Sequence, residues 1–538
     1  MKRFTQTILL VAITFAPIFS YSQNTFIIYL KNKGNQEVHN QLISSKTLLK
    51  RKMHGLEVDA YDLPVYTNYL EVLATKGKVL QTSKWLNAVL WETSLGENEV
   101  RNLALPFHKI TPVRKGKLST FSKFEVDVSN NVATSPLAIN QRSSIDYGQA
   151  QFQNEYMGIE YLHDQGYLGS GITMAFLDVG YTDMDIMPMV SHLFTGNKVI
   201  DTYDFWGQSV NVYHKGAHGR GVSFIVIGKD SNNYIGMAPE VNVHFYITDD
   251  LFTETKQDEF YFVAALERAD SIGVDIVNAS LGYKFFDNPA DNYAYSDMDG
   301  STAISTLGCN IAAQKGLLLV NAGGNSGTIN VPADAFGVLS VGGADQLKDF
   351  DYISSEGPTF DQRICPSVAA LTEYTMSTYN DPYIITGNAY MGTSSATPMV
   401  SGLAACLMEK YPMHSASQII EAIQQSGHQV NNPDNRLGYG VPDAQKADSI
   451  LGGVTSITEF NSTNEVNLFP NPSKNRFNVT SETPIDRIEI YSSTGQIIKT
   501  IFGAGELHLP VIIQQKGMYL VKILNQENIS SIHQMIIY

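Results

Sequence analysis

Hydrophobic and polar positions change texture twice along the chain. From about residue 24 to 140, short strand-like and helical stretches are mixed. Phe26-Ile27-Ile28-Tyr29-Leu30 predicts a strand and Ser44 to Lys52 a basic helix. Lys78 to Thr93, carrying Val79-Leu80, Ala88-Val89-Leu90 and Trp91, predicts further strand. Ser129 to Gln149 is poor in apolar clusters and rich in Ser, Asn and Gln, as a linker is. From about 150 to 450 strands alternate with helices. Ile172 to Val179, Val241 to Ile247, Val274 to Val277, Leu317 to Val320 and Val338 to Val341 are β-rich runs bounded by glycines. A helix from Gln257 to Ile272 places Phe262, Ala265, Leu266, Ala269 and Ile272 on one face. Such alternation predicts a parallel sheet covered by helices on both faces, with functional residues at the carboxyl ends of its strands.

After Leu451 the texture shifts again. Gly452 to Glu465 is rich in Ser, Thr and Asn and reads as a linker. Val466–Phe469, Arg476–Val479, Ile485–Tyr491, Ile497–Phe502, Met518–Leu524 and Ser531–Ile537 then form short strands. Asn471-Pro472 and Ser493-Thr494-Gly495 supply turns, so a small β-sandwich is expected. At the other end, Lys2 and Arg3 precede an apolar run from Ile8 to Phe19, and Ser20-Tyr21-Ser22 offers small residues before Gln23. That is the form of an export signal; the run is short for a membrane span.

Length and composition narrow the picture. The 538 residues are too many for one core, and a hydrophobic fraction of 43% with 17% charged residues is that of an ordinary globular protein. A net charge of −16 without a long basic run argues against nucleic acid as a partner. Cys309, Cys365 and Cys406 are the three cysteines, too few for a disulfide framework in an exported chain, and buried free thiols are expected.

Acyl transfer by a serine needs a hydroxyl, an imidazole, a carboxylate to hold the imidazole and donors for the oxyanion. Ser394 lies in Gly392-Thr393-Ser394-Ser395-Ala396-Thr397-Pro398, at the start of a helix marked by Ala396, Met399, Val400, Leu403 and Leu407, with Pro398 expected in its first turn. A helix N-terminus favours negative charge forming beside it, although a Ser or Thr there is most often only a cap. His218 heads the apolar run Val222 to Ile227; His214, four residues earlier, does not complete a zinc motif because Lys215 and Gly216 follow it. Asp178 ends the first core strand, and Asn325 follows the Leu317 to Val320 strand in Asn321-Ala322-Gly323-Gly324-Asn325-Ser326-Gly327.

The order Asp, His, Ser is that of subtilisins. Asp178-Val179-Gly180, His218-Gly219, Asn278-Ala279-Ser280-Leu281-Gly282, Gly324-Asn325-Ser326-Gly327 and Gly392-Thr393-Ser394-x-Ala396-Thr397-Pro398 together resemble the motifs of subtilisin-like serine proteases. The resemblance implies an α/β, three-layer catalytic domain on a parallel sheet. It implies Ser394 as nucleophile, His218 as general base then acid, Asp178 as its orienter, and Asn325 with the Ser394 N–H as oxyanion hole. Ser280, Leu281 and Gly282 would pair with the substrate backbone, and Ala322, Gly323 and Gly324 would wall the primary specificity pocket, with room for a bulky apolar side chain.

Residues 24 to about 110 resemble a subtilisin-type pro-region, an α+β unit that inhibits until cleaved. Asn467-Leu-Phe-Pro-Asn-Pro472, Ile488 to Gly495 and Lys516-Gly-Met-Tyr-Leu-Val521 are similar to sorting domains of type IX secretion. The expected organisation is therefore a signal peptide (1–22), a pro-region and linker (23–144), a catalytic domain (145–451), a linker (452–465) and a C-terminal sorting β-sandwich (466–538). Expected partners are polypeptide substrates, the chain's own pro-region and the type IX secretion machinery. The chain would be secreted or held at the cell surface. No cofactor is implied; the acidic loops Asp249-Asp250 and Asp297 to Asp299 could hold a structural calcium but are more often solvated turns, and no metal ligand set is assigned.

Two positions depart from the family pattern. Arg220 stands where Thr usually follows His-Gly, and could bias the cleft toward acidic residues near the scissile bond. Ser367 stands where Asp is common. The reading is a secreted serine endopeptidase; the alternatives are an inactive binding or adhesive protein on the same scaffold, and a non-peptidase hydrolase.

Overall fold

The structure, a computed structural model, describes residues 23–114, 143–453 and 466–537, apart from 232, 326, 389–391, 472, 482, 493–496 and 526–529. The expected export signal, most of both expected linkers, Ser326, and the turn residues Pro472 and Ser493-Thr494-Gly495 lie outside the described residues.

The N-terminal unit comprises β1 (Asn24–Leu30), α1 (Ser45–Met53), α2 (Thr67–Ala74), β2 (Gly77–Ser83), β3 (Ala88–Thr93) and β4 (Phe107–Val113). Its antiparallel sheet has the order β2-β3-β1-β4. The continuous apolar run of β1 is explained by two buried faces. Phe26, Ile28 and Leu30 enter the unit's own core with Val89, Trp91 and Leu73. Ile27 and Tyr29 point the other way, into a second core shared with the following domain.

That domain is built on seven parallel strands: β5 (Thr173–Asp178), β6 (Val199–Asp204), β7 (Asn242–Ile247), β8 (Ile276–Ala279), β9 (Leu318–Ala322), β10 (Val338–Ala344) and β11 (Val368–Leu371). Their order is β11-β10-β9-β8-β5-β7-β6. Met174 and Phe176 of β5 face a core that includes Val226 of α3 (His218–Ile227) and Met399 of α6 (Thr393–Lys410). Ala175 and Leu177 face Phe262 and Ala265 of α4 (Lys256–Ile272) and Ile311 of α5 (Ile304–Gln314). These are the three expected layers. Between β11 and α6, β12 (Thr375–Asp381) and β13 (Ile384–Asn388) form an antiparallel hairpin.

The single apolar face expected of α4 needs correction. Phe262, Ala265, Leu266 and Ala269 are buried, but Ile272 in the last turn is 37% exposed. Phe260, Tyr261 and Val263 are buried as well, because α4 is covered on one side by the parallel sheet and shares its other core with Ile27, Tyr29, Trp85 and Leu90 of the N-terminal unit.

Charge ties the same seam. Arg51 donates to Asp62 at 2.8 Å and to Asp270 of α4 at 2.6 Å, and Lys315 reaches Asp62 at 3.0 Å. Glu267, buried in α4, accepts from the Lys84 N–H at 2.9 Å, the Trp85 N–H at 3.0 Å and the Ser83 hydroxyl.

The C-terminal unit packs a three-stranded sheet (Val466–Phe469, Arg476–Ser481, His508–Ile512) on a four-stranded one (Ile485–Ser492, Ile497–Phe502, Gly517–Asn525, Ser530–Ile537) around Phe477, Ile488, Val511 and Val521. The strand His508–Ile512 was not expected from the pattern; it sits at a sheet edge, where Pro510 is tolerated. Cys309, Cys365 and Cys406 are free and buried, and burial pushes their thiols above the ordinary range. Among the described residues no helix is long and apolar enough to cross a membrane.

Candidate active site

Three neighbouring strands end at one place. β5 finishes in Asp178, β8 runs into Ser280-Leu281-Gly282, and β9 runs into Gly323-Gly324-Asn325. Asp178 is buried, and its Oδ1 accepts from its neighbour's N–H, that of Val179, at 2.8 Å. His218 is the first residue of α3, and its Nδ1 lies 2.9 and 3.0 Å from the two Asp178 oxygens. A nitrogen facing a carboxylate carries the proton, so Nε2 is left as the acceptor. Gly219 permits this approach: a Cβ there would stand 2.7 Å from Asp178 Cβ and 2.6 Å from the Gly180 carbonyl.

Ser394 is the second residue of α6 and is 7% exposed. The expectation that Pro398 falls in the first turn is corrected, because α6 starts at Thr393 and Pro398 stands in the second turn. There its missing N–H leaves the Ser394 carbonyl without its helical partner. The Ser280 hydroxyl donates to that carbonyl at 3.0 Å, and the Ser394 hydroxyl lies 3.3 Å from the Ser280 carbonyl. Ser280 thus touches Ser394 at both ends.

Asn325 is oriented by Thr393. Its Oδ1 accepts from the Thr393 N–H at 3.0 Å and from the Thr393 hydroxyl at 2.9 Å, which commits the oxygen and leaves Nδ2 as donor. Gly392, with φ of 56°, makes the close approach workable; a Cβ there would lie 2.5 Å from Asn325 Oδ1. Ala322 ends β9 buried, followed by Gly323 and Gly324.

Arg220 is not offered to the cleft as expected. It is 3% exposed, and its guanidinium donates to the carbonyls of Thr378 at 3.1 Å, Thr182 at 2.7 Å and Tyr379 at 2.9 Å. Ser367 lies against Ser340, with the hydroxyls 3.1 Å apart. The acidic loops are turns and caps: Asp250 accepts from the Phe252 and Thr253 N–H groups, Asp297 from that of Ala294 and Asp299 from that of Ser301. Asp249 is buried against the hydroxyls of Thr248 and Tyr283. His214 lies 3.6 Å from Asp204. Among the described residues no three His, Cys, Asp or Glu side chains group as a metal ion requires.

A parallel sheet between helical layers thus carries the hydroxyl, imidazole, carboxylate and amide near its carboxyl edge. The chain belongs to the subtilase family, whose match runs over residues 144–440, more than half its length. Residues 25–123 match the peptidase S8 propeptide domain of Bacteroidota, and residues 467–538 match a secretion-system C-terminal sorting domain. The protein is accordingly a serine endopeptidase exported by type IX secretion, released or held at the cell surface. It is 32% identical to subtilisin DY of Bacillus licheniformis over 263 residues, covering 47% of this chain and 83% of that protein. It is 27% identical to a thermostable alkaline protease of Halalkalibacterium halodurans, covering 54% of this chain and 72% of that protein. Among solved structures, MycP1 with the N-terminal propeptide removed aligns with a TM-score of 0.44 at 23% identity, over 55% of this chain and 96% of that one.

Sequence reasoning missed Thr393 as the group that orients Asn325, although its place beside Ser394 was a usable signal. It also missed Tyr379, whose ring meets that of His218 edge-on with centroids 6.1 Å apart. No local signal marks Tyr379, because the contact depends on where the β12–β13 hairpin is carried. If Asn325 Nδ2 serves a developing oxyanion, Asn325→Ala is expected to lower kcat by about 10²–10³ with KM little changed. Steady-state kinetics on a peptide substrate check it.

Proposed function

We propose that the protein hydrolyses polypeptides through an acyl-enzyme on Ser394. Ser394 Oγ attacks the scissile carbonyl carbon while His218 Nε2 takes its proton. Asp178 holds the imidazole tautomer and offsets the charge of the imidazolium. Asn325 Nδ2 and the Ser394 N–H receive the oxyanion. Collapse of the tetrahedral intermediate breaks the C–N bond, and His218 returns the proton to the leaving amine. Water, activated by the same imidazole, then releases the acid. Ser280, Leu281 and Gly282 pair with the substrate strand. Ala322, Gly323 and Gly324 wall a primary pocket that favours a bulky apolar residue. The observation that carries this reading is the seating of His218 Nδ1 on both Asp178 oxygens, at the strand edge shared with Ser394 and Asn325. A fluorophosphonate probe should label the processed protein and fail to label Ser394→Ala; a folded, processed protein left unlabelled would overturn the proposal.

Residues 1–22 act as the export signal, the pro-region within 23–144 as inhibitor and folding aid, and 466–538 as the sorting domain, removed after translocation. The buried seam supports inhibition by the docked pro-region and makes it pH-sensitive. Burial pushes Glu267 from 4.5 up to about 7, against the pull of Ser83, Lys84 and Trp85. A carboxyl whose docked value is raised contributes docking stability that is full below its ordinary range near 4.5 and lost as pH rises through 7. Docking should therefore tighten by up to about tenfold per pH unit between 7 and 5. In uncut Ser394→Ala chain, the urea midpoint for undocking, followed at Trp85 and Trp91, should rise as pH falls. Glu267→Gln should flatten that slope; an unaltered slope would count against this role for Glu267.

A further inference from the structure

Arg220 is a buried cation whose donors go to three carbonyls from two separate segments, while the carboxylates of Asp183 and Asp381 act on it through space. Thr182 belongs to the loop that follows Asp178, and its own N–H donates to the carbonyls of Lys215 and Gly216, just before His218. Thr378 and Tyr379 belong to β12. The Arg220 side chain therefore fastens the loop leaving the carboxylate strand and the hairpin leading to α6 onto the helix that begins with His218. The hairpin is seated closely. Ser377 donates to the Gly221 carbonyl at 2.7 Å, and a Cβ on Gly221 would stand 2.9 Å from Tyr379 Cβ. The outcome is the Tyr379 ring at 87° to the imidazole, 6.1 Å between centroids.

We propose that Arg220 is a positioning residue for the reaction, acting through Tyr379 to hold His218 in register between Asp178 and the reacting serine. The reading rests on His218 as the general base. Its physical basis is the geometry of proton transfer. The imidazole must keep Nδ1 on Asp178 while Nε2 alternates between the serine hydroxyl and the leaving amine. A ring free to tilt spends less time in line with either. Three fixed acceptor directions suit a planar guanidinium, which presents its donors as a rigid fork, better than an ammonium on a flexible stem. A misplacement of about 1 Å in a catalytic group costs roughly 10²-fold, so a modest loosening is visible in kcat.

The test compares processed parent enzyme with Arg220→Met, Arg220→Lys, Tyr379→Leu and the Arg220→Met/Tyr379→Leu double variant on one peptide substrate. Arg220→Met should lower kcat by roughly 10- to 100-fold with KM nearly unchanged. Arg220→Lys should recover part of that loss. Tyr379→Leu should lower kcat in the same sense, and the double variant should be no worse than Arg220→Met, because the two act in series. Equal kcat in folded variants, with only a lower melting temperature, would overturn the proposal. Should Arg220→Met fail to fold, Tyr379→Leu decides, and unchanged kcat there overturns it equally. Fluorophosphonate labelling separates the two failures: an unlabelled parent defeats the assignment of the nucleophile, whereas a labelled parent with indifferent variants defeats only the role of Arg220.

Discussion

Ser394→Ala should reduce kcat by on the order of 10⁶-fold while leaving the fold intact. In the proposed mechanism the loss is large because the hydroxyl is the group that bonds to the substrate carbon, and neither His218 nor Asp178 can act without it. Activity should not fall to the level of bulk water; oxyanion donors and substrate binding alone typically retain about 10³–10⁴-fold. The structural cost is small. The Ser394 hydroxyl lies 3.3 Å from the Ser280 carbonyl, and the carbonyl that Ser280 caps is backbone and survives. Kinetics with a peptide substrate, alongside thermal melting, separate the two effects. If pro-region removal is self-catalysed, the same variant accumulates as the uncut chain, seen directly by mass. A loss below about 10³-fold would mean another nucleophile carries the reaction.

Asp178→Asn is expected to lower kcat by about 10⁴ with KM nearly constant. Asp178 Oδ1 accepts from the Val179 N–H at 2.8 Å, which would favour the amide oxygen at that position. The amide NH₂ would then occupy the Oδ2 site, 3.0 Å from His218 Nδ1. An acceptor would remain 2.9 Å from Nδ1, but the added donor at 3.0 Å disfavours a proton there, and in the tautomer with its proton on Nε2 the imidazole cannot accept from Ser394. The substitution is nearly isosteric in a buried site, so unfolding should shift little. Comparison of kcat, KM and melting temperature checks all three statements, and an unchanged kcat would remove Asp178 from the role.

The alternation of strands and helices from about 150 to 450 was readable because each strand between two helical layers must be apolar on both faces. The β1 run was readable for the same reason, although nothing in it says that Ile27 and Tyr29 serve another domain's core. Ile272 was misplaced by the same logic: helical periodicity continues to the last turn, while coverage by neighbouring elements stops earlier. Pro398 was placed one turn too early because a helix start cannot be fixed to within a few residues by pattern. His508–Ile512 escaped notice because an edge strand with a proline lacks clean alternation.

The sequence by itself determined the family, the order of the candidate residues and the division of the chain into three textured regions. Motifs such as Gly392-Thr393-Ser394 are local, and local backbone requirements are written in local residues. Only the tertiary structure decided what became of Arg220, what orients Asn325, and that Tyr379 stands against His218. Each of those depends on contacts between segments far apart in the chain, where burial decides whether a charge faces solvent, substrate or backbone carbonyls. A cation after His218 reads as a feature of the substrate cleft in sequence; closing the β12–β13 hairpin over it turns it into an internal tie.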